Sequence, residues 1–523
     1  MIVEILVFIV MTLIVYYTYI HKRMHKYFLD RDLKYNPGIP LFGNVFQSTF
    51  LKRHMVEDID AVYREFPNEK YVGYIEGTSP IILIRDPEVI KHITVKDFDH
   101  FVNHKMFFPE DIEPMFGDSI FMMKDDKWRD MLTMLSPSFT GSKIRQMMPF
   151  MTDISKNVIQ YLKDHISEDI DVGNLMRRYT NDVIASCAFG CQVNSLKDKE
   201  NDFYKIGQAL FTMNSTWQRF KLFFVMHIPK VARLLGMQVF TQEYSSFFNN
   251  LITTTMEHRE KYNIERPDMI QLLVQASKGN LKPENVNIKD DIVVEAEKLK
   301  QHGALKQWTQ RELASQLFIF FLGGFESSAT ALTMCIHELA INPVIQKKLY
   351  EEIKSFKEKN SSLVHENIND LKYLDCVINE TLRRWAPALI MDRVCTKAYE
   401  LPQPREGGIP CKLRPGDVVY NVVNSIHMDP KYYPDPEVFD PDRFSDERRH
   451  EIKPFTFMPF GIGPRACIGS RFALLELKVL IYHLILNFKI LKCNKTTDPI
   501  VLKPQEFNIN AIGGTWVRLE NRY

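Results

Sequence analysis

The chain has 523 residues, of which 45% are hydrophobic and 25% charged, which is the composition of a globular protein with a large core. Its formal net charge is +1 and no basic stripe is present, so the sequence lacks the electrostatic signature of a protein that binds nucleic acid. The eight cysteines form no C-x-x-C pair, which argues against a zinc ribbon and against covalently attached haem.

The first twenty residues, MIVEILVFIVMTLIVYYTYI, differ from the rest because residues 5–20 carry no charge. As a helix they would span roughly 24–28 Å, close to the core of a thin bilayer. The basic segment HKRMHK follows, so the positive-inside rule places the remaining chain in the cytosol. A cleaved signal peptide is the alternative, but the charge order and cleavage site it needs are missing. The sequence predicts a membrane anchor at 1–20, a basic and proline-rich hinge at 21–44, and a main body at 45–523.

The main body is predicted to be mainly α with small β-sheets. Two alternating apolar runs within residues 71–84 predict a β-hairpin, and the polar segment 277–308 predicts a solvated connector. A long helix is predicted from near Thr309, whose capping partner is Glu312, to about Ile341. Its middle is apolar nearly all round, which indicates that it crosses the protein interior. From residue 386 onward, prolines, short strands and turns predominate.

The segment PFGIGPRACIGSRF, residues 459–472, places Cys467 in a glycine-rich loop just before an apolar helical run. A thiolate is a strong, soft metal ligand, but a free thiol is mostly protonated at neutral pH. Backbone N–H groups and a helix N-terminus can stabilise the thiolate, and Gly461 and Gly469 let the backbone and a flat ligand come close. Arg465 can pair with a carboxylate of that ligand. A lone ligating thiolate suits a haem iron, whereas a free cysteine in a turn is the alternative for an isolated thiol.

The pattern F-x-x-G-x-R-x-C-x-G, filled by Phe460, Gly463, Arg465, Cys467 and Gly469, resembles the haem-binding signature of the cytochrome P450 family. This resemblance implies the cytochrome P450 fold and a haem b whose axial ligand is the thiolate of Cys467. It also implies that the remaining residues of the signature, together with the intervening Gly461, pack around that cofactor.

A second resemblance lies upstream of the cysteine, where Glu380 and Arg383 match the family's E-x-x-R and FDPDRF supplies Arg443. Residues three apart share a helix face, so Glu380 and Arg383 can meet. Alone, such a pair is usually solvated. The resemblance implies that the three residues form a buried charge network that supports the haem loop.

In the long helix, LGGFESSA resembles the family's oxygen-activation motif, with Gly323, Gly324, Glu326 and Ser327 at its positions. The resemblance implies that Glu326 and Ser327 relay the protons needed to split O2, while the glycines, Gly323 and Gly324, open the helix so that a ligand fits against its backbone. Serine stands where threonine is usual, and it lacks the methyl group that fixes the rotamer. We therefore expect looser coupling of electron use to product. A simple helix kink is the alternative for this motif alone.

The segment KWRDMLTMLSPSF departs from the family pattern W-x-x-x-R, whose two residues contact a haem propionate. Trp128 matches the first position, but Leu132 stands where the arginine is expected, and Arg129 lies on another helix face. The resemblance then leaves the propionates to Trp128, Arg465 and Arg393, the last at a position where the family also has arginine. We expect weaker haem retention than is usual in the family.

The resemblance runs in order over almost the whole chain and implies a microsomal haem-thiolate monooxygenase of the endoplasmic reticulum membrane, acting on lipophilic organic substrates. The chain has no flavin or nicotinamide fingerprint, so NADPH-cytochrome P450 reductase would supply electrons, with cytochrome b5 as a second candidate donor. FMPFGIGPRACIGSRFALLELK is similar to the insect microsomal branch of family 9, associated with clearing plant toxins and insecticides. By analogy, residues 116–122, Phe325 and residues 386–391 would line the substrate pocket.

Two other functions stay open at this point. One is a haem-thiolate isomerase or dehydratase that needs no reductase, and the other is a haem-binding membrane protein without enzymatic activity. The acid and alcohol pair of Glu326 and Ser327 argues against both, and dependence of turnover on NADPH would decide between them and a monooxygenase.

Overall fold

The computed structural model describes residues 2–211, 216–277, 308–506 and 508–522. Most of the predicted polar connector, residues 278–307, lies outside the described residues. In chain order the helices are α1 Ile2–Leu29, α2 Phe46–Thr49, α3 Met55–Glu65, α4 Pro87–Lys91, α5 Pro114–Gly117, α6 Asp125–Leu135, α7 Gly141–Asp164, α8 Val172–Phe189, α9 Asp202–Phe211, α10 Thr216–His227, α11 Pro229–Leu234, α12 Gln242–Tyr262, α13 Met269–Ser277, α14 Gln310–Ile341, α15 Pro343–Lys359, α16 Lys372–Arg384, α17 Val423–His427 and α18 Ser470–Asn487.

The strands are short and form three small sheets. They are β1 Tyr71–Glu76, β2 Ser79–Ile84, β3 Asp169–Asp171, β4 Ile390–Val394, β5 Tyr399–Leu401, β6 Cys411–Leu413, β7 Val418–Val422, β8 Phe488–Leu491 and β9 Trp516–Asn521. The largest sheet has the order β1-β2-β7-β4, the second the order β3-β9-β8, and β5 pairs with β6. The predicted hairpin is confirmed, since β1 and β2 pair antiparallel in the register Tyr71 to Ile84. The prediction of a mainly α protein with small sheets is likewise confirmed.

The N-terminal apolar segment forms a helix that continues past residue 20 to Leu29. No break marks the predicted boundary between anchor and hinge. The C-terminal end of α1 joins the main body, because Met24 and Phe28 are buried against the β1-β2-β7-β4 sheet region. Phe28 also stacks on Tyr35 at 4.8 Å between ring centroids.

Helix α14 begins as the sequence predicts. The Thr309 side chain accepts the N–H of Glu312, and the Glu312 carboxylate accepts the N–H of Thr309 at 2.9 Å, which forms a capping box. The helix ends at Ile341. Among the described residues, α14 is the one helix long and apolar enough to cross a membrane, and most of it is buried inside the protein. The predicted anchor at residues 1–20 is thus not shown as a membrane span.

Two large apolar clusters meet at the segment before α18. One fills the space among the helices α6–α9, α14–α16 and α18, and the other lies around the four-stranded sheet. Phe460 and Ile468 pack against the helical cluster, whereas Met458 and Ile462 pack against the sheet cluster. The glycine-rich loop around Cys467 is therefore held on both sides by packed core.

Candidate active site

The loop that carries Cys467 is a tight turn held by its own backbone. Gly461 and Gly463 have φ values of +79° and +76°, a region that favours glycine. A Cβ on Gly463 would lie 1.9 Å from the carbonyl oxygen of Thr94, so no larger residue fits. The N–H of Cys467 donates to the carbonyl of Phe460 at 2.7 Å. These contacts fix the cysteine just before the N-terminus of α18.

The Cys467 thiol lies in an enclosed space that solvent still reaches. Its side chain is exposed, yet surrounding protein raises its pKa by burial, and an N–H of Gly469 partly offsets this rise. A residue that lines an internal cleft has both properties. A Cβ on Gly469 would lie 3.9 Å from Phe139 and 4.0 Å from the Cys467 sulfur, so free space adjoins the thiol. Phe139 in turn packs edge-on against Phe320 of α14, with ring centroids 5.3 Å apart.

Arg465 and Trp128 are brought together by the structure. The guanidinium lies over the indole ring, 4.0 Å from its centroid, and donates to three backbone carbonyls. Leu132, one turn after Trp128, is buried, so the position where the family pattern has arginine is apolar. Arg129 points elsewhere and pairs with Asp99 and Asp126 at 3.1 and 3.0 Å.

Arg393 on β4 is a second buried guanidinium in this region. It donates to the carbonyl of Asp392 at 2.7 Å, while its Nε has no hydrogen-bond partner among the described residues. The Asp392 carboxylate is instead occupied by His104, at 2.9 Å, and by the backbone N–H of Lys105. Burial lowers the pKa of Arg393 to about 10, although Asp392 opposes the shift. Burial also lowers the pKa of Arg465, and the charge of Arg393 adds to that lowering.

The middle of α14 presents an accessible stretch inside a buried helix. Gly323 is exposed, and a Cβ there would meet no atom within 4 Å. Gly324 has the opposite surroundings, because a Cβ there would lie 2.8 Å from Ile184 of α8. Of the two glycines expected to open the helix, Gly323 faces open space and Gly324 packs against α8. Ser327 donates its hydroxyl hydrogen to the carbonyl of Gly323, and Thr180 donates to that of Phe325 at 2.7 Å.

The Glu326 carboxylate is buried and faces α8. Arg177 donates to it through Nη2 at 2.8 Å and through Nε at 2.9 Å, and Asn510 lies 3.4 Å away. Burial disfavours the charge on Arg177, but the hydrogen bonds and charge of Glu326 outweigh it and raise the pKa of the guanidinium. Glu326 and Ser327 therefore point to different sides of the helix, the acid toward Arg177 and the alcohol toward Gly323.

Glu380, Arg383 and Arg443 lie together in the interior, as predicted from the motif. Two hydrogen bonds of 2.8 Å join Arg383 to Glu380, and the Nε of Arg443 lies 3.6 Å from Glu380. The N–H of Asp440 also donates to Glu380, at 3.0 Å. This saturates the carboxylate, as a buried charge requires.

A family model for Cytochrome P450 matches residues 33–514. The chain belongs to the cytochrome P450 family. Members of this family are monooxygenases that use a haem with a cysteine thiolate as axial ligand. The predicted resemblance is confirmed.

The cytochromes P450 to which the chain is similar include insect members of family 9. It is 38% identical over 510 residues to the Drosophila melanogaster protein named Probable cytochrome P450 9f2, covering 95% of each chain. It is 37% identical over 517 residues to Cytochrome P450 9e2 of Blattella germanica, covering 95% of this chain and 94% of the relative. Cytochrome P450 9b2 of Drosophila melanogaster is 34% identical over 506 residues, with 95% of each chain covered.

The residues present fit a haem. An accessible thiol adjoins open space, and two guanidiniums, buried Arg393 and half-buried Arg465, form no ion pair with any described residue. An iron needs the thiolate, and two anionic propionates need the guanidiniums.

Sequence reasoning missed two residues of this P450 site. Arg177 comes from a helix 149 positions before Glu326, and no motif marks it. His427 lies in VVNSIHMDP, where a single histidine in an apolar run is the signal that could have been used. The expectation that Phe325 lines the pocket is wrong, because this ring is fully buried and stacks on Phe211 at 5.9 Å.

Proposed function

We propose that this cytochrome P450 inserts one oxygen atom from O2 into lipophilic organic substrates, xenobiotics such as plant toxins or insecticides among them, with electrons from NADPH. The observation that carries the proposal is the accessible Cys467 thiol in the same loop as Arg465, whose pKa is lowered in part by the charge of buried Arg393. Neither guanidinium forms an ion pair with a described residue. Aromatic rings near the site favour apolar substrates: Phe116 contacts Phe108 at 4.9 Å and Phe240 at 6.0 Å between centroids.

In this proposal Cys467 is the axial ligand, and the N–H of Gly469 together with the start of α18 stabilises its thiolate. Trp128 and Arg465, stacked on each other, hold one side of the cofactor, and Arg393 pairs with a propionate. When bound, the haem supplies O2 activation, which the thiolate promotes by donating electron density.

Proton delivery is assigned to the Ser327 hydroxyl, which lies on the accessible side of α14. Glu326 sits behind it, bonded to Arg177 at 2.8 Å, and must exchange protons through water or by a change of its side-chain rotamer. Because serine can rotate where threonine is fixed, the hydroxyl can turn from the Gly323 carbonyl toward the cleft.

The proposal places the catalytic body, residues 45–523, on the cytosolic side of the endoplasmic reticulum membrane. Helix α1 supports an anchor at residues 1–20, because it exposes large apolar side chains such as Phe8 (72%) and Val15 (64%). The basic hinge at residues 21–44 then lies at the cytosolic face. NADPH-cytochrome P450 reductase on the same membrane is the proposed electron donor, with cytochrome b5 as a second donor.

The test begins with the purified full chain reduced by dithionite, with and without carbon monoxide. The expected result is the strongly red-shifted Soret band of a thiolate-ligated haem, lost in Cys467→Ala and kept in the control Cys493→Ala. Turnover of a lipophilic substrate panel is then measured with reductase. Product that requires NADPH supports the monooxygenase, whereas product without NADPH or reductase supports the isomerase or dehydratase. No turnover of any substrate would leave a haem-binding membrane protein.

A further inference from the structure

His427 is a buried histidine that joins two parts of the site. It ends α17 and is completely buried. Its Nδ1 lies 3.1 Å from the carbonyl oxygen of Arg383, and its Nε2 lies 3.0 Å from the backbone nitrogen of Met458. A backbone N–H can only donate, so Nε2 accepts from Met458 and carries no proton. The ring proton is therefore on Nδ1 and is donated to Arg383.

Met458 stands at the start of the loop that carries the thiol. Its carbonyl accepts the N–H of Gly461 at 3.1 Å. Two residues later, the carbonyl of Phe460 accepts the N–H of Cys467 at 2.7 Å. The two hydrogen bonds link neighbouring peptide units of the loop, from Met458 to Gly461 and from Phe460 to Cys467. The position of the Met458 N–H therefore influences the position of the Cys467 backbone.

The other side of the histidine is rigid. Arg383 is held by both oxygens of Glu380 and donates to the carbonyl of His427 at 2.8 Å. The imidazole ring stacks on Phe457, with centroids 5.5 Å apart and planes 26° apart. The imidazole ring therefore cannot flip or move without breaking its hydrogen bonds to Arg383 and Met458 and its contact with Phe457.

We propose that His427 is a positioning residue for the haem thiolate: it transfers the fixed geometry of the Glu380–Arg383 pair to the Cys467 loop through the N–H of Met458. The inference rests on the proposed role of Cys467 as axial ligand. His427 is completely buried and acts through the backbone of Met458, so its effect would be on the length and direction of the bond from sulfur to iron.

Two substitutions separate the two hydrogen bonds. In His427→Gln the side-chain oxygen reaches the place of Nε2 and keeps the acceptor for Met458. In His427→Asn the shorter amide keeps only the donor to Arg383. His427→Phe keeps a ring for packing and loses both bonds. Full-length holoprotein of each variant is reduced and its carbon monoxide difference spectrum recorded over time, together with the reduction potential of the haem and the thermal unfolding midpoint.

The expected result is that His427→Gln keeps the thiolate-type band, while His427→Asn and His427→Phe convert to the displaced-ligand band several-fold faster. The haem reduction potentials of His427→Asn and His427→Phe should also shift relative to the wild type. The thermal unfolding midpoints of His427→Gln and His427→Asn should be similar. Equal spectra for His427→Gln and His427→Asn would overturn the inference. So would a loss of the thiolate-type band that is explained by a lower unfolding temperature alone. A wild-type protein without the thiolate band would instead refute Cys467 as ligand, and the inference with it.

Discussion

Glu476 is a carboxyl group buried in the core that forms no ion pair with any described residue. It lies within α18, is 1% exposed, and its Oε2 has no hydrogen-bond partner among the described residues. Burial raises the pKa of this carboxyl to about 8, and a hydrogen bond with Ser328 offsets only part of the rise. In the folded protein the group is therefore protonated at neutral pH.

This raised pKa makes stability fall as pH rises. In the unfolded chain the carboxyl releases its proton near its ordinary value of 4.5, but in the folded protein it does so only near 8. Between these values the folded state binds one more proton than the unfolded state, so stability drops by about 1.4 kcal/mol per pH unit. Over the whole range from 4.5 to about 8 the loss adds up to about 5 kcal/mol. This is an upper limit, because water entering the core would reduce the shift in pKa.

The substitution Glu476→Gln replaces the protonated carboxyl with a neutral group of the same shape. We expect the variant and the wild type to have similar free energies of unfolding near pH 5. Between pH 5 and about pH 8 the variant should become steadily more stable relative to the wild type. Denaturant titration of the detergent-solubilised holoprotein across this pH range measures the difference. Glu358→Gln, at an exposed position of α15, is the control and should show no such trend. Parallel pH curves for Glu476→Gln and the wild type would refute the reasoning.

Three further substitutions test the loop, the propionate position and the buried acid. Gly463→Ala puts a Cβ 1.9 Å from a backbone carbonyl oxygen and should abolish the thiolate-type spectrum. The control is Gly407→Ala, at a glycine with φ +71° and no atom within 4 Å of an added Cβ, which should cost only about 1 kcal/mol in stability. Leu132→Arg adds a cation for the propionates and should slow haem transfer to apomyoglobin several-fold; unchanged transfer would count against a propionate at this position. Arg177→Met leaves the Glu326 carboxylate buried and unpaired. Since the Arg177 side chain is 25% exposed, we expect a loss of about 2–3 kcal/mol in denaturant titration, at the low end for such pairs. Adding Glu326→Gln should restore most of it, and failure to do so would contradict the pairing.

The sequence predicts best what is local. The capping box of Thr309 and Glu312 spans four residues, and the pair Glu380 and Arg383 spans one helix turn. Each can therefore be recognised in a short segment of sequence. The partner of Glu326 could not be predicted from a local motif, because Arg177 contacts Glu326 only when α8 packs against α14. The same packing decides which neighbouring glycine faces open space, and a motif cannot distinguish positions that differ only in helix face.

Four arginines, of which Arg383 and Arg393 are buried and Arg177 and Arg465 half-buried, divide into two groups by their partners. Arg383 and Arg177 are each bonded to a carboxylate at 2.8 Å, so their charges are already compensated within the protein. Arg393 and Arg465 form no ion pair with a described residue, and the charge of Arg393 helps to lower the pKa of Arg465. Asp392 compensates these two charges only in part, because the pKa of each guanidinium is still lowered. Two like charges in such surroundings oppose folding unless a further anion joins them. The protein thus keeps a deficit of negative charge next to its accessible thiol, and a dianionic cofactor with a metal centre supplies what both features lack.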